Sequence, residues 1–339
     1  MIMEIRRVQV TGGSSFVITL PKEWVISHKI KKNDPIALSK KPDGTISISP
    51  TITEEITGKI KKFILNEKIN RTYLLRQLIG AYISGYNSII LSSKKRISSD
   101  VGIIVRYFTQ IAIGQEVIEE TNNSIVIKDL LKPTEMPFNV TIKRMHLIVK
   151  SMHEDTMQSM ESKNKKIVEE IMIRDSDVDR LHWLIARQQN IILQDITFAE
   201  KMNISLTMTY TYFLISRIIE RMGDHVVRIA KNISKILDVR LNKEIKQKIQ
   251  ISSNLAFEIF NKSIGSFFKK DIISANKNIE SVQRLENLCE EINTMASEYN
   301  GSIAISIGYI AESIRRIGEY AEDISETAIN YIISIKDKS

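Results

Sequence analysis

All six prolines of this chain (Pro21, Pro35, Pro42, Pro50, Pro133, Pro137) lie before residue 138. Proline removes a backbone donor and clashes inside a helix, so the stretch from 138 to 339 is free to run as long helices. Only five of the thirteen glycines fall in that stretch, which removes the other common helix breaker. The chain therefore divides near residues 133 to 137, with a mixed segment before and a helical one after.

Apolar periodicity past that point predicts six helices, at about 140 to 162, 165 to 194, 205 to 237, 243 to 269, 272 to 299 and 302 to 335. Helices of this length joined by short loops make antiparallel bundles. The third predicted helix contains R-I-I-E-R-M-G-D-H-V-V-R-I-A (217 to 230), and the sixth contains a weaker version, S-I-R-R-I-G-E-Y-A-E-D-I-S (313 to 325). Gly318 and Ile324 stand where Gly223 and Ile229 stand. A repeat at this distance implies a duplicated three-helix bundle, over 133 to 238 and 239 to 339.

The phrase at 217 places Glu220 and Asp224 one helical turn apart on one face, with Gly223 between them leaving room for a close neighbour. Asp175 and Asp179 have the same spacing on the preceding helix. Two such pairs on facing helices suit a hard or borderline cation held by carboxylate oxygens. The alternative is a solvated acidic face screened by Arg217, Arg221 and Arg228. His225 is either an outer ligand or a boundary residue; His146 and His153 share a face, and His182 beside Trp183 reads as packing.

Residues 1 to 50 read as four short strands and one helix beginning near Pro21, with turns at Gly12-Gly13, Asn33-Asp34-Pro35 and Asp43-Gly44. This segment carries eight basic and four acidic side chains, so it supplies +4 of a net charge of +8. A β unit this small rarely builds its own core, which predicts dimerisation. Arg6, Arg7, Thr11, Ser14, Ser15 and Lys22 are the candidates for phosphate contact with duplex DNA. Lysines that guard an exposed strand edge give the competing reading. Residues 51 to 132 read as an α/β linker module with an amphipathic helix from Arg71, a buried strand at 88 to 91, a helix at 99 to 113 and a hairpin around Thr121-Asn122-Asn123. No phosphate loop, Cys/His cluster or Ser/His/Asp set stands out there.

The T-G-G-S-S, L-P-K-E-W and K-K-N-D-P-I stretches resemble the AbrB/MazE-type (SpoVT-AbrB) swapped-hairpin DNA-binding domain over residues 1 to 50. The resemblance implies that two copies interlace hairpins into one β-barrel that binds duplex DNA. The E-R-M-G-D-H phrase and its repeat resemble the PhoU-type phosphate uptake regulator over 139 to 339. That family implies tandem three-helix bundles whose acidic motifs bind iron or zinc, with Asp175, Asp179, Glu220 and Asp224 as the metal ligands. The second repeat departs from the pattern. Arg315 and Glu319 replace Glu220 and Asp224, Ile279 and Gln283 replace Asp175 and Asp179, and the pair Glu286 and Glu290 is out of register.

The expected fold is mainly α, with tandem bundles preceded by the small β-barrel domain and the α/β module. No apolar run reaches the roughly 20 residues of a bilayer span, no secretory signal is visible, and Cys289 is a single cysteine, all of which point to the cytoplasm. The bundles lack the Glu-x-x-His pairs of ferritin-like enzymes. The sequence thus predicts a non-enzymatic phosphate uptake regulator, a homodimeric transcriptional regulator joining a DNA-binding module to a metal-binding sensor. Its partners are duplex DNA and a phosphate transporter or signalling protein. The alternative is an adaptor without DNA binding that inhibits a phosphate transporter or signalling kinase through its bundles.

Overall fold

A computed structural model describes residues 4–40, 44–50, 59–66, 69–195 and 197–336. The chain separates into two compact units, residues 1–57 and 58–339.

In the first unit, β1 (Gln9–Thr11) pairs antiparallel with β2 (Ser15–Val17), and helix α1 (Lys22–Ser27) follows. Strands β3 (Ala37–Lys40) and β4 (Ile46–Ser49) form a second antiparallel pair. Gly12 and Gly13 adopt φ of +65° and +85°, the left-handed backbone that closes the β1-β2 turn at little cost to glycine. The alternation of residues 4 to 10 suits a longer first strand than β1 forms. Pairing ends at Gln9↔Val17, so Arg6 and Arg7 precede the strand and lie outside the ladder. Among the described residues of this unit no side chain is buried, and Ile5, Phe16 and Leu38 are 84%, 77% and 70% exposed.

The second unit begins with β5 (Ile60–Ile64), α2 (Arg71–Ile83), β6 (Ser88–Ser92), α3 (Ser99–Ile111), β7 (Gln115–Glu120) and β8 (Ser124–Asp129). The strands form one sheet in the order β5-β6-β8-β7, parallel between β5 and β6 and antiparallel elsewhere. Phe63, Ile89, Leu91, Ile125 and Ile127 pack under Leu74, Leu78 and Tyr82 of α2 and Val101, Val105 and Phe108 of α3. The apolar run of residues 52 to 69 suits a strand or short helix; part of it lies outside the described residues, and β5 occupies the described part.

The helices follow as α4 (Phe138–Ser162), α5 (Ile167–Gln194), a short α6 (Thr197–Lys201), α7 (Leu206–Ile236), α8 (Lys243–Lys269), α9 (Ile272–Ala296) and α10 (Gly301–Lys336). Their starts obey local chemistry: Ser205, Asn242 and Asp271 each accept a hydrogen bond from a backbone N–H of the following first turn. Helices α4, α5 and α7 pack as one triplet and α8, α9 and α10 as another, with α10 laid against α7. Buried apolar side chains from Phe138 to Ile332 form one continuous core through both triplets.

The α/β module is mated to α5. The last carbonyls of α2 run out of partners within the helix, and α5 adds donors to them: Arg187 donates to the Tyr82 carbonyl, which also accepts from the Gly85 N–H, Asn190 to that of Ile83 and Gln194 to that of Ser84. Arg187 also forms a buried ion pair with Asp129 and lies over the Tyr82 ring. Gly85, at φ +84°, passes close under Ile191 of α5.

Candidate functional site

The four carboxylates singled out by spacing come together between α5 and α7. Asp175 and Asp179 project from the middle of α5, Glu220 and Asp224 from the middle of α7. Gly223 makes the approach possible, because a Cβ there would stand 2.8 Å from Asp175 Oδ1, closer than real contacts allow. Val149 of α4 and Val178 of α5 line the same spot, so the Asp175 carboxylate rests against the α7 backbone among apolar neighbours.

Burial dominates the electrostatics. It pushes the Asp175 carboxyl up to about 7, with Asp224 and Glu220 adding repulsion, and pushes Asp179 up to about 7, with Asp175, Glu220 and Asp224 adding theirs. Burial also raises Glu220 and Asp224, while Arg217 opposes both shifts. Arg217 Nη1 stands 3.6 Å from Glu220 Oε1, and Glu220 Oε2 is buried with no hydrogen-bond partner. Four mutually repelling carboxylates and an orphaned acceptor oxygen form a cation-seeking environment. The donor chemistry fits a hard or borderline divalent ion, but no three His, Cys, Asp or Glu side chains among the described residues enclose one ion between them.

The histidines serve other contacts. His225 turns toward α10, its ring 5.6 Å from that of Tyr320, and burial followed by Arg228 and Arg316 lowers it to about 4. His182 bonds Ser216 Oγ at 3.0 Å and stacks on Phe213. His146 meets Asn261 at 2.7 Å and His153 meets Ser253 at 2.5 Å, both across to α8, so these two residues bridge the helical triplets.

In the second triplet the equivalent position is neutralised. Arg315 forms ion pairs with Glu312 and Glu319 on its own helix. The space beside Gly318 holds the apolar Leu285, where Gly223 has a carboxylate as neighbour. Gln283 donates to Glu286.

The candidate nucleic-acid residues lie on the exposed surface of the first unit. Arg6 pairs with Glu4 at 2.8 Å and reaches Thr19 at 3.5 Å. Thr11 and Ser15 face each other at the end of the β1-β2 ladder, Ser14 lies in the turn, and Lys22 opens α1. Arg7 is exposed. The structure thus gathers Thr11, Ser14 and Ser15 around one turn.

Residues 142–233, the span that holds all four carboxylates, match the PhoU domain family. The chain carries a PhoU domain. Residues 9–55 match the family described as antidote-toxin recognition MazE, bacterial antitoxin, so an AbrB/MazE-type domain precedes the PhoU domain. The crystal structure of PhoU from Pseudomonas aeruginosa superposes with a TM-score of 0.52 at 13% identity, covering 58% of this chain and 96% of that one. The phosphate transport system regulatory protein PhoU from Streptococcus pneumoniae gives a TM-score of 0.48 at 17% identity, covering 57% and 92%. No curated protein matches the chain. The first superposition identifies a PhoU-like helical fold, behind a small region of antiparallel strands.

Arg187 with Asp129, and the capping of α2 by α5, had no signal in the sequence. Their partners lie 58 to 110 residues apart, and nothing local marks an arginine that will be buried. Among the described residues no helix is long and apolar enough to cross a membrane.

Proposed function

We propose that the chain is a non-enzymatic, cytoplasmic regulator of phosphate uptake that acts as a dimer on duplex DNA. In this reading iron or zinc at Asp175, Asp179, Glu220 and Asp224 governs DNA binding. The observation that carries it is the carboxylate cluster packed against Gly223 within the PhoU domain, on the same chain as an AbrB/MazE-type domain. A bound cation supplies charge neutralisation at the cluster. The chain's own residues supply the oxygens, and Gly223 the space for Asp175.

Dimerisation is supported by the lack of a buried side chain among the described residues of the first unit: its exposed Ile5, Phe16 and Leu38 need a second copy to leave water. DNA binding is supported by the exposed Arg6, Arg7 and Lys22 beside hydroxyls able to contact phosphate.

Anisotropy of labelled operator duplexes with the purified protein tests the reading. Affinity is expected to fall steeply with salt, and Arg6→Ala, Arg7→Ala and Lys22→Ala together reduce that slope by up to about three. Metal analysis in parallel is expected to find iron or zinc in the wild type and a loss in Glu220→Ala and Asp224→Ala. A protein that ignores duplex at low salt, yet holds metal and binds a transporter or kinase, is the adaptor instead.

A further inference from the structure

Among the described residues, the helices packed on the sheet of the α/β module all lie on one face. Residues directly opposite across a ladder share a face, so the registers fix what the uncovered face presents. One row across β5, β6, β8 and β7 reads Lys62, Ile90, Val126, Glu119. The flanking rows read Ile60, Ser88, Lys128, Glu116 and Ile64, Ser92, Ser124. The other face takes Phe63, Ile89, Leu91, Ile125 and Ile127 into the core, and the Arg106–Glu120 ion pair joins α3 to that covered side.

Two observations mark the open face as unfinished. Ile60 and Ile64 on edge strand β5 are 54% and 78% exposed, and Ile118 at the β7 bulge is 53% exposed. Among the described residues, Lys62, Glu116 and Glu119 have no ion-pair partner.

The central row runs cation, apolar, apolar, anion from one edge to the other. Such an order is self-complementary under a two-fold rotation about an axis parallel to the strands. That rotation lays β5 of one copy over β7 of the second and β6 over β8. Lys62 then meets Glu119 of the second copy, and Ile90 meets its Val126. Sheets packed in this aligned way sit about 10 Å apart.

We propose that this open sheet face is a homotypic interface, a second contact between two copies of the chain. Four strands of about five residues give a face of roughly 300 Å² in projection, well short of the roughly 800 Å² per partner of a stable complex. The face therefore closes only between copies already held together. The inference rests on the dimeric reading of residues 1–50, which lie within roughly 30 Å of chain from β5 and raise the local concentration to the millimolar range.

Full-length Ile90→Cys, treated with a bismaleimide of about 10 Å span, tests it; the native Cys289 is buried and stays unreactive. Near the axis, the two introduced thiols lie diagonally across the interface, one strand spacing apart and within reach of the linker, so a covalent dimer is expected. Ile103→Cys, exposed on the helical side, is expected to give none. Adding Lys62→Glu places like charges together and slows cross-linking by about tenfold, and Glu119→Lys on top restores it. A dimer by light scattering in which Ile90→Cys cross-links no better than Ile103→Cys overturns the sheet interface and leaves the N-terminal dimer standing. A monomer without cross-links overturns both. Cross-linking indifferent to Lys62→Glu overturns the charge-paired arrangement.

Discussion

Asp175→Asn removes one charge from the carboxylate cluster while keeping the shape of the side chain. Burial and the neighbouring Asp224 and Glu220 raise the Asp175 carboxyl from 3.8 to about 7. A carboxyl whose folded pKa is raised costs stability. The cost is absent below about pH 3.8, where folded and unfolded chains are both protonated. It grows as the unfolded chain ionises and is complete above about pH 7. Three pH units at 1.36 kcal/mol each give about 4 kcal/mol. The side chain is only half-buried and shares its repulsion with Asp179, so screening and coupling leave about 2 kcal/mol. In chelator at pH 8 the variant is therefore expected to melt about 3 °C above the wild type, and the gap closes toward pH 4. Calorimetry of both proteins across this range measures it. Only the difference between them is diagnostic, because His146, His153, His182 and His225 are all lowered by burial and destabilise the fold as pH falls below 6.5. Zinc or ferrous iron at 100 times its dissociation constant is expected to raise the wild type by about 2.7 kcal/mol and Asp175→Asn by less. A variant less stable than the wild type at pH 8 in chelator, or a gap independent of pH, refutes the reasoning.

Arg187→Ala strands Asp129 in a buried site and removes one of the two donors to the Tyr82 carbonyl. It is expected to cost about 3–5 kcal/mol in urea unfolding, and Arg187→Met with Asp129→Leu to recover most of that. Gly223→Ala drives a methyl into Asp175 Oδ1 and is expected to abolish the stabilisation by metal in calorimetry. In Gly318→Ala the new methyl instead collides with Leu285 and overpacks the second triplet by about 1–3 kcal/mol with no effect on the response to metal.

The helical two-thirds were legible because their signals are local. Proline is absent and apolar residues recur at helical spacing, and Ser205, Asn242 and Asp271 cap the starts of α7, α8 and α9. The helix expected at 243 to 269 coincides with α8. The carboxylate pairs were legible for the same reason, since a four-residue spacing fixes a shared face and Gly223 advertises close approach. The short α6 and the parallel pairing of β5 with β6 were not foreseen. The arrival of Arg187, Asn190 and Gln194 at the end of α2 is tertiary, decided by how α5 lies against the module. His146 and His153 were ambiguous from their own helix, because the deciding partners, Asn261 and Ser253, sit about a hundred residues later.

The capping of α2 by α5 also sets a clock on biosynthesis. Ser84 leaves the ribosome 110 residues before Gln194, the last of the side chains that close over α2. At about 5–20 residues per second, that helix waits roughly 5 to 20 s with its final carbonyls turned to water. During this interval the sheet can collapse against α2 and α3, but the nascent module lacks the surface that completes it. Its maturation is therefore timed by the emergence of a helix that also carries two of the four clustered carboxylates.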